Sequence, residues 1–343
     1  MTKLATLLAL AVVACGSAAS APGDDPRTLR QPPLAQDDGD GTSDGTAPAP
    51  GGLGAPYPIV LMHGMSGFGK LNIGPISVTY FDGVAADLAE HGEQVFVTIV
   101  PPYDTSEDRA KALAPQIDRI LAQTGKAKVN LVGHSQGGMD ARVIASPMGL
   151  AYGDRIASVT TVATPHHGSR VADGVLGTLD GVPDSLIDDI TSSILDLAEK
   201  TAFELDSDPH LRAQLVELSE KYMASTFNPR FVDDPRVKYE SYAGRTNSRS
   251  GTGVCDGGVF ANDPNATDVA QLPLGVTALF LENGKGVVND GLVTVDSAKW
   301  GTFLKCVPAD HLKEVGQLGP AADTFDHLAF FRDLVARVRA NGF

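Results

Sequence analysis

Basic residues are in short supply: 27 Lys and Arg stand against 42 Asp and Glu, giving a net charge of -15. A phosphate backbone needs a Lys/Arg face, so nucleic acid is excluded as a partner. Apolar runs of membrane-spanning length are missing as well. The stretch from Leu4 to Val13 is too short to cross a bilayer as a mature helix. With Lys3 before it and small residues around Cys15, it reads as an export segment over residues 1–15. Cysteine is scarce and odd in number, at Cys15, Cys255 and Cys306. Removing Cys15 leaves Cys255 and Cys306 as a candidate disulfide pair, which suits an exported chain. Internal repeats are absent.

What is present describes one large folded domain behind a spacer. Val12-Val13-Ala14-Cys15 resembles a bacterial lipobox, in which cleavage precedes a cysteine that is then lipidated. Ordinary cleavage after Ala19-Ser20-Ala21 is the alternative, with Cys15 discarded. Residues 16–55 are Ala, Gly, Pro, Ser, Thr and Asp with almost nothing a core could use, the composition of a disordered tether. From residue 56 to 343 the apolar content supports a compact core. Short β-branched runs at Pro58–Met62, Val95–Val100, Lys128–Val132, Ser158–Ala163, Val237–Tyr242 and Val276–Leu281 read as buried parallel strands. Phe81–His91, Ser106–Gln123 and Gly137–Ala145 carry apolar residues at three- and four-residue spacing, as crossover helices do. The expected fold is α/β, a mostly parallel doubly wound sheet whose ligand chemistry sits at the carboxyl ends of the strands.

The strongest motif is Gly133-His134-Ser135-Gln136-Gly137, placed between the run Lys128–Val132 and a helical stretch. Alone, Gly-x-Ser-x-Gly is a weak signal. A strand leading into it and a helix leading out make it similar to the nucleophile elbow of the α/β-hydrolases, with Ser135 exposed on a strained turn. A serine hydroxyl needs a base and a group that orients the base. The elbow implies the chain order Ser, acid, His. His166 and His167 come too early and His210 lies in a charged helical stretch, which leaves His311 in a polar loop and His327 in an amphipathic final helix. His311 is preferred as base. Asp290, in Val287-Val288-Asn289-Asp290-Gly291-Leu292-Val293, is preferred as acid over Asp296 and Asp310. Backbone N–H groups of Met65, in the Gly-rich loop His63-Gly64-Met65-Ser66-Gly67-Phe68, and of Gln136 could converge on a developing oxyanion. His63 itself reads as a loop-stabilising hydrogen bonder.

These motifs, with Asp104-Thr105-Ser106-Glu107, Thr164-Pro165-His166-His167-Gly168-Ser169 and the run His311–Gln317, together resemble the secreted triacylglycerol lipases of the Pseudomonas and Burkholderia type. The likeness is tight to Ser169 and loose from there to about Ala243. It implies an α/β-hydrolase fold with a lid or cap insertion at about 170–235, Ser135, Asp290 and His311 as triad, and a lipid ester at an interface as substrate. An esterase or phospholipase on more polar esters is the nearer alternative. A surface binding protein on a retired scaffold is the remote one, disfavoured by the intact triad. Val182–Ala198 puts Leu186, Ile187, Ile190, Ile194 and Leu197 on one face, as a lid or a core-packing cap helix would. The resemblance also implies a dedicated folding helper, on which the sequence is silent. It implies a structural calcium, held by an Asp before the acid, an Asp two residues after the histidine and a Gln four beyond. Gln317 is retained and Asp268 or Asp263 could serve first, but Lys313 occupies the remaining position. Its ammonium removes an oxygen ligand and adds repulsion, so no cofactor or metal is expected. Lys313 could instead pair with Asp268, or point to solvent. The relatives' disulfide cysteine is also missing, with Asp296 in its place, so a Cys255–Cys306 bridge would be a relocated one.

Overall fold

The computed structural model describes residues 53–67, 70–73, 76–179, 181–197, 208–246, 272–317 and 325–343. Cys15, Cys255, Asp263, Asp268, the export segment and nearly all of the tether lie outside the described residues. Among the described residues no helix is long and apolar enough to cross a membrane.

The chain runs β1 (Ile59–Met62), a hairpin of β2 (Lys70–Ile73) and β3 (Ile76–Thr79), α1 (Val84–Glu90), β4 (Val95–Thr98), α2 (Ser106–Thr124), β5 (Val129–His134), α3 (Gln136–Ala145) and β6 (Ile156–Val162). Then come α4 (Arg170–Val175), α5 (Asp184–Leu197), α6 (Pro209–Glu217), β7 (Lys238–Gly244), α7 (Leu272–Glu282), α8 (Val295–Ala298), β8 (Thr302–Val307) and α9 (His327–Ala340). Six strands form one sheet in the order β4-β1-β5-β6-β7-β8. Every pairing in it is parallel, which requires crossovers and explains the alternation of strands with helices.

The central strands are apolar on both faces because helices cover both. Val60 and Met62 of β1 join Leu113, Ile117 and Ile144 of α2 and α3 in one core. Ile59 and Leu61 point the other way and join Leu88 of α1 and Phe330, Phe331 and Leu334 of α9 in a second. Each of these fully buried side chains contributes roughly 1.5–3 kcal/mol. The length of α2 follows from its ends: the Thr105 side chain accepts from Asp108 N–H, and Gly125 stops the helix in the left-handed conformation.

One expected strand needs correction. Val276–Leu281 is not a strand but the second half of α7. Its buried positions, Leu274, Thr277, Ala278 and Leu281, recur at helical spacing. A short continuous apolar run does not reveal its period, and this one packs beside α4 and α5 instead of in the sheet. The sixth strand is β8, an edge strand that carries Lys305 and is buried only at Cys306 and Val307. Cys306 is disulfide-bonded.

Between β6 and β7 lies a helical insertion containing α4, α5 and α6. At its far end Asp233 accepts a hydrogen bond from the indole N–H of Trp300, at 3.0 Å. The Trp300 ring lies under the Arg142 guanidinium, 3.6 Å from ring centroid, and stacks on His166.

Candidate active site

The turn after β5 is tight. Ser135 sits at φ 56 and ψ -132, a conformation costly for a residue with a side chain. Only glycines let the surrounding backbone close: a Cβ at Gly133 would lie 2.5 Å from Gly138 N, and one at Gly137 would lie 2.8 Å from the His63 carbonyl. The Gly-rich loop after β1 packs directly against the serine, since a Cβ at Gly64 would meet Ser135 Cβ at 2.6 Å. This brings Met65 and Ser135 to the wall of one pocket. Gln136 is the first residue of α3, so no carbonyl within the helix can reach its N–H.

His311 and Asp290 meet across the loops beyond the sheet. His311 Nδ1 donates to Asp290 Oδ2 at 2.8 Å, and both side chains are buried. Asp290 is oriented by its own turn, where Oδ1 accepts from Leu292 N at 2.8 Å and Val293 N at 2.7 Å. His311 N–H donates to the Asp290 carbonyl at 3.0 Å, which locks the two loops together. His311 lines the same pocket as Ser135. Among the described residues no hydrogen bond joins the Ser135 hydroxyl to His311, and such bonds commonly tighten only around substrate. Apart from Ser169 the rest of the pocket wall is apolar, with Val171 and Val175 of α4, Leu215 of α6, and Leu218 and Leu292.

Three buried polar residues behind this pair were not singled out from the sequence. His134 packs beside His311 at a tilt of 43°, with ring centroids 4.6 Å apart. Its Nδ1 contacts the Tyr80 hydroxyl at 2.7 Å and its Nε2 the Glu314 carboxyl at 3.1 Å. Burial pushes the Glu314 carboxyl well above the ordinary range, helped by the nearby Asp290 and Asp310. Burial, with His311 beside it, holds His134 well below the ordinary histidine range. The trio is therefore neutral and hydrogen-bonded, a packed floor for His311. His134, His311 and Glu314 could bring three ligand atoms within 4.8 Å of one another. A cation there would displace the existing His134–Glu314 bond.

The remaining candidates fall into supporting places. His63 donates from Nδ1 to the Gly64 carbonyl and accepts Val100 N–H at Nε2, as a loop-stabilising residue should. Burial, then the Arg109 charge, lowers it to about 3. Arg109 is buried and binds the His63 carbonyl, the Pro101 carbonyl and Asp140. His327 donates to the Asp82 carbonyl at 2.8 Å, and His210 is exposed. Asp296 lies exposed in the first turn of α8, and Asp310 accepts from Leu312 N and Lys313 N instead of facing His311. Asp310 Oδ1 is thus taken by backbone donors, and Lys313 stands where the lipases' calcium ligand is expected. These described residues do not fit a dication.

An elbow serine, a buried acid–histidine pair and a parallel six-stranded sheet define the class, an α/β-hydrolase. Residues 57–192 match the profile of the alpha/beta hydrolase fold family. A triacylglycerol lipase of Pseudarthrobacter phenanthrenivorans is 30% identical over 319 residues, covering 83% of this chain and 97% of that protein. A triacylglycerol lipase of Burkholderia plantarii is also 30% identical, over 83% of this chain and 87% of its own. The mature lipase of Bacillus licheniformis shares the fold with a TM-score of 0.55 at 22% identity, covering 79% of this chain and 90% of that one. The chain belongs to the bacterial triacylglycerol lipase family, and it is a carboxylic ester hydrolase.

Proposed function

We propose that Ser135, Asp290 and His311 are the catalytic triad of a lipase acting on triacylglycerols, with Met65 and Gln136 N–H groups as the oxyanion hole. The observation that carries this reading is the 2.8 Å bond from His311 to Asp290, with His311 and the elbow serine on one pocket wall. The Asp290 carboxylate fixes the tautomer in which Nδ1 carries hydrogen and Nε2 is free to accept. Ser135 Oγ adds to the acyl carbon and passes its proton to His311 Nε2. The carbonyl oxygen takes the negative charge against the two amides. Collapse breaks the ester bond, and His311 returns the proton to the departing glyceride alcohol. Water then attacks the acyl-enzyme by the same route, releasing a fatty acid and restoring Ser135. The apolar wall from α4 and α6 suits an acyl chain. The helix α5, with Ile190 buried and Leu186 and Ile187 half-buried, is assigned as the lid of the cap.

The same reading places residues 1–15 as an export segment and residues 16–55 as a tether. Residues 56–343 are then the catalytic domain, with a lipidated Cys15 holding it to an envelope membrane. Ser135→Ala should abolish hydrolysis while melting stays as in wild type. Rates on p-nitrophenyl esters of increasing chain length, below and above their solubility, separate the substrate classes. A rise with chain length and with interface supports a lipase. A preference for short soluble esters would make the enzyme an esterase.

A further inference from the structure

Gln214 belongs to the cap helix α6, 79 residues beyond the elbow in sequence, yet it is completely buried against the elbow's neighbours. Its Nε2 donates to the Gln136 side-chain oxygen at 2.6 Å and to the Pro102 carbonyl at 3.1 Å. Gln136 Nε2 in turn donates to the Asp104 carbonyl at 2.9 Å, with Ser106 Oγ at 3.4 Å. Both ends of this relay are backbone carbonyls, which only accept. Neither amide can be turned over without setting acceptor against acceptor, so the direction of the relay is fixed. The Pro102 carbonyl has a second donor, the Ser66 N–H at 3.0 Å. Ser66 follows Met65 and is held at φ 57. One amide nitrogen therefore reaches both halves of the oxyanion hole: Gln136 directly, and the Met65–Ser66 turn through a shared carbonyl. Among the described residues Gln214 Oε1 is buried with no hydrogen-bond partner. An apolar side chain would avoid that cost, so the two Nε2 contacts are what the position supplies.

We propose that Gln214 is a positioning residue for the oxyanion hole, a strut from the cap helix that sets the spacing of the Met65 and Gln136 amides. The proposal rests on the assignment of those amides made above. Oxyanion donors act only when preorganised at the place where charge develops, so a strut tying the two together acts on the transition state and not on ground-state binding. Leu215, the next residue of α6, lines the pocket. The same helix thus carries part of the acyl-binding wall and the strut, which ties a correctly seated acyl chain to correctly placed donors.

The test uses Gln214→Met, which keeps length without a donor, Gln136→Leu, which cuts the relay but keeps its own backbone N–H, and the double variant. Each is measured for kcat and KM on p-nitrophenyl butyrate and for affinity toward an alkylboronic acid, which forms a tetrahedral adduct on a nucleophilic serine. Each single variant should lose about tenfold in kcat with KM within about twofold, because the donors are displaced and not removed. The double variant should be no worse than either single one, as members of one contact are not additive. Boronate affinity should fall by the same factor as kcat. The proposal is overturned if folded Gln214→Met keeps kcat within about twofold of wild type, if kcat falls while boronate affinity holds, or if the two losses multiply. Should Gln214→Met not fold, Gln136→Leu is read by the kcat and boronate criteria. A wild-type enzyme that takes up no boronate, or a Ser135→Ala variant that still hydrolyses, would overturn instead the assignment of the nucleophile on which the strut depends.

Discussion

Glu217→Gln should make this enzyme more stable, and only above mildly acidic pH. Glu217 closes α6, is buried, and accepts Ser106 N–H at 2.6 Å. Burial raises its carboxyl from 4.5 to about 7, and the nearby Asp140 and Glu107 charges push the same way against the hydrogen bonds from Ser106. Asp140 is itself raised to about 6, chiefly by burial, despite Arg109 beside it. A carboxyl raised in the folded state binds more protons folded than unfolded, so stability is full below the unfolded value and falls as pH climbs through the folded one. At about 1.36 kcal/mol per pH unit, raising the Glu217 carboxyl from 4.5 to about 7 costs about 3 kcal/mol above pH 7. Glutamine keeps an acceptor for Ser106 N–H and carries no charge. Wild type and variant should melt together near pH 4.5 and separate as pH rises. By pH 8 the variant should lead by about 6 °C, taking about 2 °C per kcal/mol for a domain of this size. Differential scanning calorimetry across that range reads the effect. A separation that is constant with pH, or of opposite sign, would refute the reasoning.

Replacing His327 by Ala should leave kcat within about threefold of wild type, while His311→Ala loses at least about a thousandfold on the same ester; comparable losses would reverse the choice of base. Asp290→Asn should keep the fold but lose about a hundredfold or more in kcat, because its amide no longer holds the required histidine tautomer. Cys15→Ser should move the full-length protein from membrane to soluble fractions, and an intact mass of the native N-terminus without acyl chains would end that idea. EDTA should leave melting temperature and activity unchanged, whereas a loss restored by Ca²⁺ would show that a calcium site survives on ligands other than Lys313.

Sequence and structure agree most closely where geometry forces residue type. The elbow requires Gly133 and Gly137 because backbone atoms would collide with any Cβ, so the motif is a direct image of the turn. Central strands such as β1 and β5 are buried along their whole length and read as apolar runs. The same logic fails at α7, an apolar helix packed beside α4 and α5, and at β8, whose edge position leaves Lys305 half-exposed. Asp290 was found by its Asn-Asp-Gly turn, although it follows a helix and not the expected strand. Glu314 carried a usable signal, three residues after His311 on a short helical turn that follows it. Gln214 carried none, because its partners lie 78 and 112 residues away and only the tertiary fold brings them together.

Trp300 is the protein's single tryptophan, and its surroundings make it a built-in optical probe. The indole packs against Arg142 and His166, which touch each other, while its N–H reaches Asp233, at the end of the helical insertion. Burial holds His166 well below the ordinary histidine range, so the ring facing the indole stays uncharged at neutral pH. Protonated imidazole is an effective quencher of indole fluorescence, and His166 does not supply that route while the fold is intact; the exposed His167 ring lies 5.9 Å from the same indole. Emission excited at the tryptophan band therefore comes from one chromophore at one site. Loosening of the Asp233 end of the insertion would register as a change in its wavelength and lifetime without any label being added.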